Sequence, residues 1–240
     1  MRVLTQSDVV RDLTAELAVA AARRALADAH AGRLAGPPRA RIEVGEHGFV
    51  FTAGGYADGQ VGLRVYGLWP GDSDQAVLVC DDDGALAGVV AGTELGARRT
   101  GALGGVAVDV LSPPGARRVG VVGSGRQAWS QLWAIAAVRP VETVAVHSPT
   151  AAHRERFAER ARAELGLAAE VASSAREAVR GADVVVLATR SEAPVVEAGW
   201  IEPGAHVSTV GPKAAAAHET PPELAAAAAI VASDSLLRHG

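Results

Sequence analysis

Residues 119–128 constrain the fold of this chain more than any other stretch. Val119-Gly120-Val121-Val122 is a short apolar run, and Gly123-Ser124-Gly125-Arg126-Gln127-Ala128 follows it directly and opens a helical pattern. Gly-x-Gly-x-x-Ala between a strand and a helix is the dinucleotide-binding fingerprint. Gly123 permits the tight turn, Gly125 lets backbone approach a pyrophosphate, and Ala128 is small enough for close helix–strand packing. The N-terminus of the following helix offers N–H groups and partial positive charge to the phosphates.

The texture around this motif supports the same reading. Apolar runs at Val119–Val122, Thr143–Val146, Glu170–Ala172, Val184–Leu187, His206–Val210 and Ala229–Ala232 predict strands. Helical patterns near 126–138, 150–165 and 174–181 separate the first of them. Near-continuous Val-rich strands alternating with helices predict a parallel sheet buried on both faces. The second strand ends His147-Ser148-Pro149-Thr150, without the acidic residue that would bond a ribose 2′-hydroxyl. Ser148, Thr150 and Arg154 suit a 2′-phosphate instead, so NADP(H) is expected over NAD(H).

The first half reads differently. Residues 8–31 predict one long helix with Ser7 as N-cap and Gly32 as stop. Alternating segments at 41–44, 48–52 and 61–66 predict strands, and 76–80 with 85–90 around Asp82-Asp83-Gly84 predicts a hairpin. Helix returns over 93–110, and Ser112-Pro113-Pro114-Gly115-Ala116 breaks the chain. The expected architecture is α/β: an α+β domain over 1–112 followed by a Rossmann-type parallel-sheet domain over 113–240. The alanine-rich pieces at 214–217 and 225–229 are compatible with helix.

Composition removes several classes of function. A net charge of −4 argues against a general nucleic-acid binder, which needs clustered cations. No apolar run reaches the ~20 residues of a membrane span, and polar residues come too early in Met1-Arg2-Val3-Leu4-Thr5 for a signal peptide. Cys80 is the lone cysteine, so no internal disulfide and no Cys-based zinc site is expected. These points predict a cytoplasmic globular protein. The 23 basic residues comprise 22 arginines and one lysine, Lys213, which makes that lysine a position to examine.

Several segments together resemble the ornithine cyclodeaminase/mu-crystallin family. They are Pro37-Pro38-Arg39, Gly62-Leu63-Arg64, Gly84-Ala85-Leu86-Ala87, Arg99-Thr100-Gly101-Ala102, the glycine motif, Gly181-Ala182-Asp183, Ala188-Thr189-Arg190-Ser191 with Pro194, Pro203-Gly204-Ala205-His206, and Asp234-Ser235. The resemblance implies a substrate and dimerisation domain followed by a Rossmann domain. It implies a bound nicotinamide cofactor, with Thr189, Arg190 and Gly211 joining the glycine motif around it. It also implies hydride transfer at the α-carbon of an amino acid or its imine, and a homodimer or higher homo-oligomer. Arg99 matches the arginine that grips the substrate carboxylate, and Arg39 matches the arginine of the first domain; a planar guanidinium suits bidentate carboxylate capture.

Two positions depart from the family pattern. Arg64 stands where the family has a lysine, and Gly211-Pro212-Lys213 stands where it has Gly-Ala-Asp. Arg64 can hold a carboxylate but, staying charged, shuttles protons poorly. Loss of the aspartate removes the expected base and favours reduction of a ketimine or cyclic imine, with Lys213 as proton carrier. Ornithine cyclodeamination proper and a non-catalytic NADP-binding homologue are the alternatives. His218 is a second candidate proton carrier, and Glu219 matches the family's glutamate after this loop. Family members also continue beyond Asp234-Ser235 to complete the first domain. Without that segment, exposed apolar surface and hence oligomerisation are expected.

Overall fold

A computed structural model describes residues 1–69 and 74–234. The chain divides into two compact units, Met1–Arg99 and Thr100–Gly240. The division falls inside a helix, whereas the sequence places its boundary after residue 112.

The first unit begins with strand β1 (Arg2–Leu4) and helices α1 (Gln6–Asp12) and α2 (Ala15–His30). The single helix expected over 8–31 is therefore two. Thr5, rather than Ser7, caps α1 in a reciprocal capping box with Asp8, and Thr14 caps α2 by accepting from the Leu17 N–H. At the break, Thr14 thus satisfies an N–H group that a continuous helix would have bonded internally. Strands β2 (Leu34–Ala35), β3 (Ala40–Val44), β4 (His47–Tyr56), β5 (Val61–Gly67), β6 (Gln75–Cys80) and β7 (Leu86–Ala91) follow, and β6 and β7 form the expected hairpin. The sheet runs β1-β7-β6-β5-β4-β2, with β3 also on β4; only β1 joins in parallel.

Register sorts the side chains of this sheet. Phe51 opposes Val65, Val65 opposes Ala76, and Leu63 opposes Leu78, which opposes Val89. Cross-strand partners share a face, so one face is apolar from β3 to β7. That face is open: Ile42 is 53% exposed, Leu63 44% and Phe51 39%. Thr52, Arg64 and Val77 occupy the opposite face.

Helix α3 (Glu94–Leu111) runs through the division between the units. Its last turn, having no internal N–H donors for its carbonyls, is capped by a side chain from elsewhere. Arg139 donates to the Val108, Asp109 and Ser112 carbonyl oxygens and pairs with the Asp109 carboxylate.

The second unit continues with β8 (Arg118–Val122), α4 (Arg126–Ala136), β9 (Thr143–His147), α5 (Ala151–Leu165), β10 (Ala168–Val171), α6 (Ala175–Val179), β11 (Val184–Leu187) and β12 (His206–Thr209). All five strands are parallel in the order β10-β9-β8-β11-β12, as the alternating pattern requires. The order reverses beside β8, which makes the carboxyl ends of β8 and β11 the crevice where ligands bind in sheets of this kind. β11 is buried throughout because helices cover both faces. Ala128, Trp129, Leu132 and Ile135 form the buried stripe of α4, and Trp129 meets Phe157 of α5 edge-on at 5.8 Å.

A ribbon of β13 (Lys213–Ala214) and β14 (Ala217–His218) comes next, then α7 (Pro222–Ala227). The Ala-rich piece at 214–217 is thus the tip of a hairpin instead of a helix, since β pairing within the ribbon overrides alanine's propensity. Residues 229–232 form no strand, leaving β12 at the sheet edge among the described residues. Ser235, matched in the family pattern, lies outside the described residues.

Candidate active site and cofactor cleft

In the first unit, β4, β5 and the start of α3 border an open cavity of about 310 Å³ lined by Thr52, Gly54, Gly62, Arg64, Leu95 and Arg99, among others. Arg64 projects from β5, its Nε donating to Gln75 Oε1 at 2.8 Å while its guanidinium lies 4.3 Å from the centre of the Tyr66 ring. Gly96 lets the helix approach this pair: a Cβ there would lie 2.5 Å from Gln75 Oε1 and 3.0 Å from Arg64 Nη2. Burial holds the Arg64 guanidinium below its usual pKa, and the positive charges of Arg99 and Arg39 add to the effect, while Tyr66 opposes it. Three arginines expected from the sequence thus act on one another electrostatically. Their combined field favours an anion over any cation, and the apolar walls around them strengthen it.

Arg99 and Arg39 are exposed, whereas neighbouring Arg98 is buried. Arg98 donates to the Leu13 carbonyl oxygen at 2.6 Å and to Glu94 at 3.2 Å, a structural task that separates it from Arg99. Sequence inspection missed Gln75 and Tyr66 as the groups that orient Arg64. The β5–β6 register brings Gln75 to it, and strand alternation puts Tyr66, two residues on, on the same face.

In the second unit, the loop from β8 into α4 has the geometry its glycines suggest. Gly123 adopts φ +113°, and a Cβ on it would stand 2.3 Å from the Ala188 carbonyl oxygen. Gly125 is the N-cap of α4 with φ −85°, and nothing approaches its Cβ position within 4 Å. No side chain caps this helix N-terminus, and Arg126 and Gln127 are exposed beside it while Ala128 is buried. An open glycine in front of an uncapped helix start fits a dinucleotide pyrophosphate, which would supply the missing acceptors. Ser124 Oγ donates to Ser148 Oγ at 2.9 Å, tying this loop to the end of β9. Arg154 Nη1 donates to the Ser148 carbonyl oxygen at 2.9 Å, and its buried Nε has no hydrogen-bond partner. Thr150, exposed, is the N-cap of α5.

Thr189 and Gly211 sit just past the ends of β11 and β12 and converge on the buried carboxylate of Glu219, while Arg190 is exposed. The backbone of Lys213 pairs with His218 across the β13–β14 ribbon; the Lys213 side chain lies outside the described residues.

A model of the ornithine cyclodeaminase/mu-crystallin family matches residues 1–238. The chain belongs to that family. Among solved members, it is similar to the Thermococcus litoralis Δ1-pyrroline-2-carboxylate reductase in complex with NADH and L-proline: TM-score 0.86, 30% identity, covering 93% of this chain and 73% of that one. The iminosuccinate reductase of Paracoccus denitrificans in complex with NAD+ aligns with TM-score 0.85 and 28% identity over 94% of this chain and 73% of that one. An archaeal alanine dehydrogenase dimer with bound NAD aligns with TM-score 0.79 and 26% identity over 86% and 66%. The chain is an NAD(P)-dependent oxidoreductase of this family.

Proposed function

We propose that the protein reduces the C=N bond of a small α-carboxylated imine, with NADPH preferred over NADH. The observation that carries this reading is the apolar cavity onto which Arg64, Arg99 and Arg39 direct positive charge, a combination suited to a short carboxylate-bearing substrate. Arg99 and Arg64 hold the carboxylate through charge-assisted hydrogen bonds, Gln75 and Tyr66 fix Arg64, and Arg39 adds to the field. Gly123, Gly125 and the start of α4 cradle the pyrophosphate, with Ser124, Arg126, Gln127 and Ala128 shaping that turn. Thr189, Arg190 and Gly211 border the nicotinamide half. When bound, the nicotinamide supplies the hydride for the imine carbon. Lys213 delivers the proton to nitrogen from the ribbon that follows β12. Reduction of a preformed imine needs only that one proton, and so tolerates Gly211-Pro212-Lys213 where the family carries an aspartate.

The NADPH preference is supported by the end of β9. It presents Ser148 and Thr150 with no carboxylate, and Arg154 there has a buried Nε without a partner. A homodimer is supported by the open apolar sheet face, which a second copy would cover, and by the dimer recorded for the archaeal relative.

NADPH oxidation at 340 nm with Δ1-pyrroline-2-carboxylate tests the reaction. Turnover is expected, with Arg99→Ala raising KM for the imine about a hundredfold, on the order of 2.7 kcal/mol, while cofactor affinity stays the same. Absence of turnover with cyclic and open-chain imines alike would refute the reading.

A further inference from the structure

We propose that Glu219 is a positioning residue that sets the width of the cofactor cleft and seats the ribbon bearing Lys213. The proposal rests on the cofactor lying at this sheet edge, as the function above requires. Glu219 is 0% exposed, and among the described residues its side chain accepts from neutral donors just past the end of β11 and at and just past the end of β12. Oε2 accepts from the Thr189 N–H and the Thr189 hydroxyl, both at 2.8 Å. Oε1 accepts from the Thr209 hydroxyl at 2.7 Å and the Gly211 N–H at 2.5 Å. Leu187 and Thr209 are paired at the ends of β11 and β12, so one carboxylate spans the point where these neighbouring strands part into separate loops.

The main chain around Glu219 extends the clamp. The Val195 N–H donates to the Glu219 carbonyl oxygen at 3.0 Å, and the His218 N–H donates to that of Glu192 at 3.2 Å. The Glu219 N–H reaches the Pro212 carbonyl oxygen at 3.4 Å, closing the base of the β13–β14 ribbon. Thr189 Oγ1 in turn accepts from the Ser191 N–H, so the loop after β11 takes its shape from the same anchor. At Gly211 a Cβ would lie 2.4 Å from the Glu219 carboxyl, so a larger residue there would push that carboxyl out of these contacts.

The donor set makes the acid necessary. A carboxylate offers acceptors on both sides, whereas an amide must turn an NH2 toward one of them. Each oxygen of Glu219 faces a backbone N–H, which cannot reverse its role as a hydroxyl can. Glu219→Gln therefore breaks the contact to Thr189 or the one to Gly211, and one wall of the cleft moves.

The test compares Glu219→Gln with Arg139→Met, which loses the cap of α3 from the opposite, amino edge of the sheet. NADPH affinity is measured by fluorescence titration without substrate, kcat with Δ1-pyrroline-2-carboxylate at saturating cofactor, and Tm for each. Glu219→Gln is expected to weaken NADPH binding at least tenfold and to lower kcat at least tenfold. Arg139→Met is expected to lower Tm comparably and leave both within twofold. Should Glu219→Gln fail to fold, Thr209→Val removes one donor and keeps shape, with an expected threefold loss of NADPH affinity. Unchanged affinity in Glu219→Gln (or in Thr209→Val where that variant stands in), or equal losses in Arg139→Met, overturns the proposal. Wild-type protein that binds NADPH and reduces no imine would refute the reaction alone, since the affinity comparison still decides the role of Glu219.

Discussion

The two glycines of the β8–α4 turn should fail in opposite ways when each is replaced by alanine. At Gly123 the φ of +113° is unfavourable to any side chain, costing about 1–3 kcal/mol. The added methyl would also lie 2.3 Å from the Ala188 carbonyl oxygen, main chain at the end of a buried strand. Overpacking of this kind costs about 1–3 kcal/mol, so the sum is roughly 2–6 kcal/mol. For a chain of this size that lowers Tm by roughly 4–24 °C. Gly125→Ala meets nothing within 4 Å and sits at φ −85°, ψ −175°, which alanine adopts freely. Its loss as an N-cap and its gain in unfolded-state entropy nearly cancel, leaving a change within about 1 kcal/mol. Yet the methyl fills the space between backbone and pyrophosphate. Losing one charge-assisted hydrogen bond costs about 1.5–3 kcal/mol, or on the order of 10- to 150-fold in affinity. Differential scanning fluorimetry and NADPH titration separate the two effects. A Gly125→Ala protein that binds NADPH as tightly as wild type, or a Gly123→Ala protein with unchanged Tm, would refute the assignment of roles.

Three further outcomes are expected. Arg154→Ala should weaken NADPH at least tenfold while NADH changes less than threefold; equal losses would remove the 2′-phosphate assignment. His206 is held below its usual pKa by burial and then by the charge of Arg139. Below the unfolded value of about 6.5 the unfolded chain takes up a proton that the native state resists, so this histidine costs stability as pH falls through 6.5 toward the folded pKa. Urea titrations should therefore show His206→Gln gaining on wild type between pH 7.5 and 5, and a constant difference would contradict the sign. Phe51→Asp on the open apolar face should halve the mass measured by sedimentation; an unchanged mass would place the partner surface elsewhere.

How much of this could be read along the chain depends on the range of the interaction. The strand–glycine–helix run at 119–128, the Val-rich strands and the Asp82-Asp83-Gly84 hairpin follow from near neighbours, where backbone preference and side-chain period act directly. The break between α1 and α2 is equally local, yet Thr5 and Thr14 compete with Ser7 as N-caps, and only the hydrogen bonds they make reveal which of them starts a helix. The Ala-rich 214–217 is compatible with helix because alanine's propensity is strong, and the pairing that overrides it lies within a ribbon too short to show a period.

The chemistry of the site divides in the same way. Arg64, Arg99 and the glycine motif were visible as residue types in recognisable settings. Nothing in the neighbours of Glu219 shows that four donors from residues 189, 209 and 211 will meet on its carboxylate. The same holds for Arg139, whose acceptors at 108–112 lie at the end of α3. Residue order sets which backbone each segment prefers and which side chains are available. Partners distant along the chain meet only when strands pair and helices pack, because a buried charge is tolerated where closure of the fold surrounds it with donors.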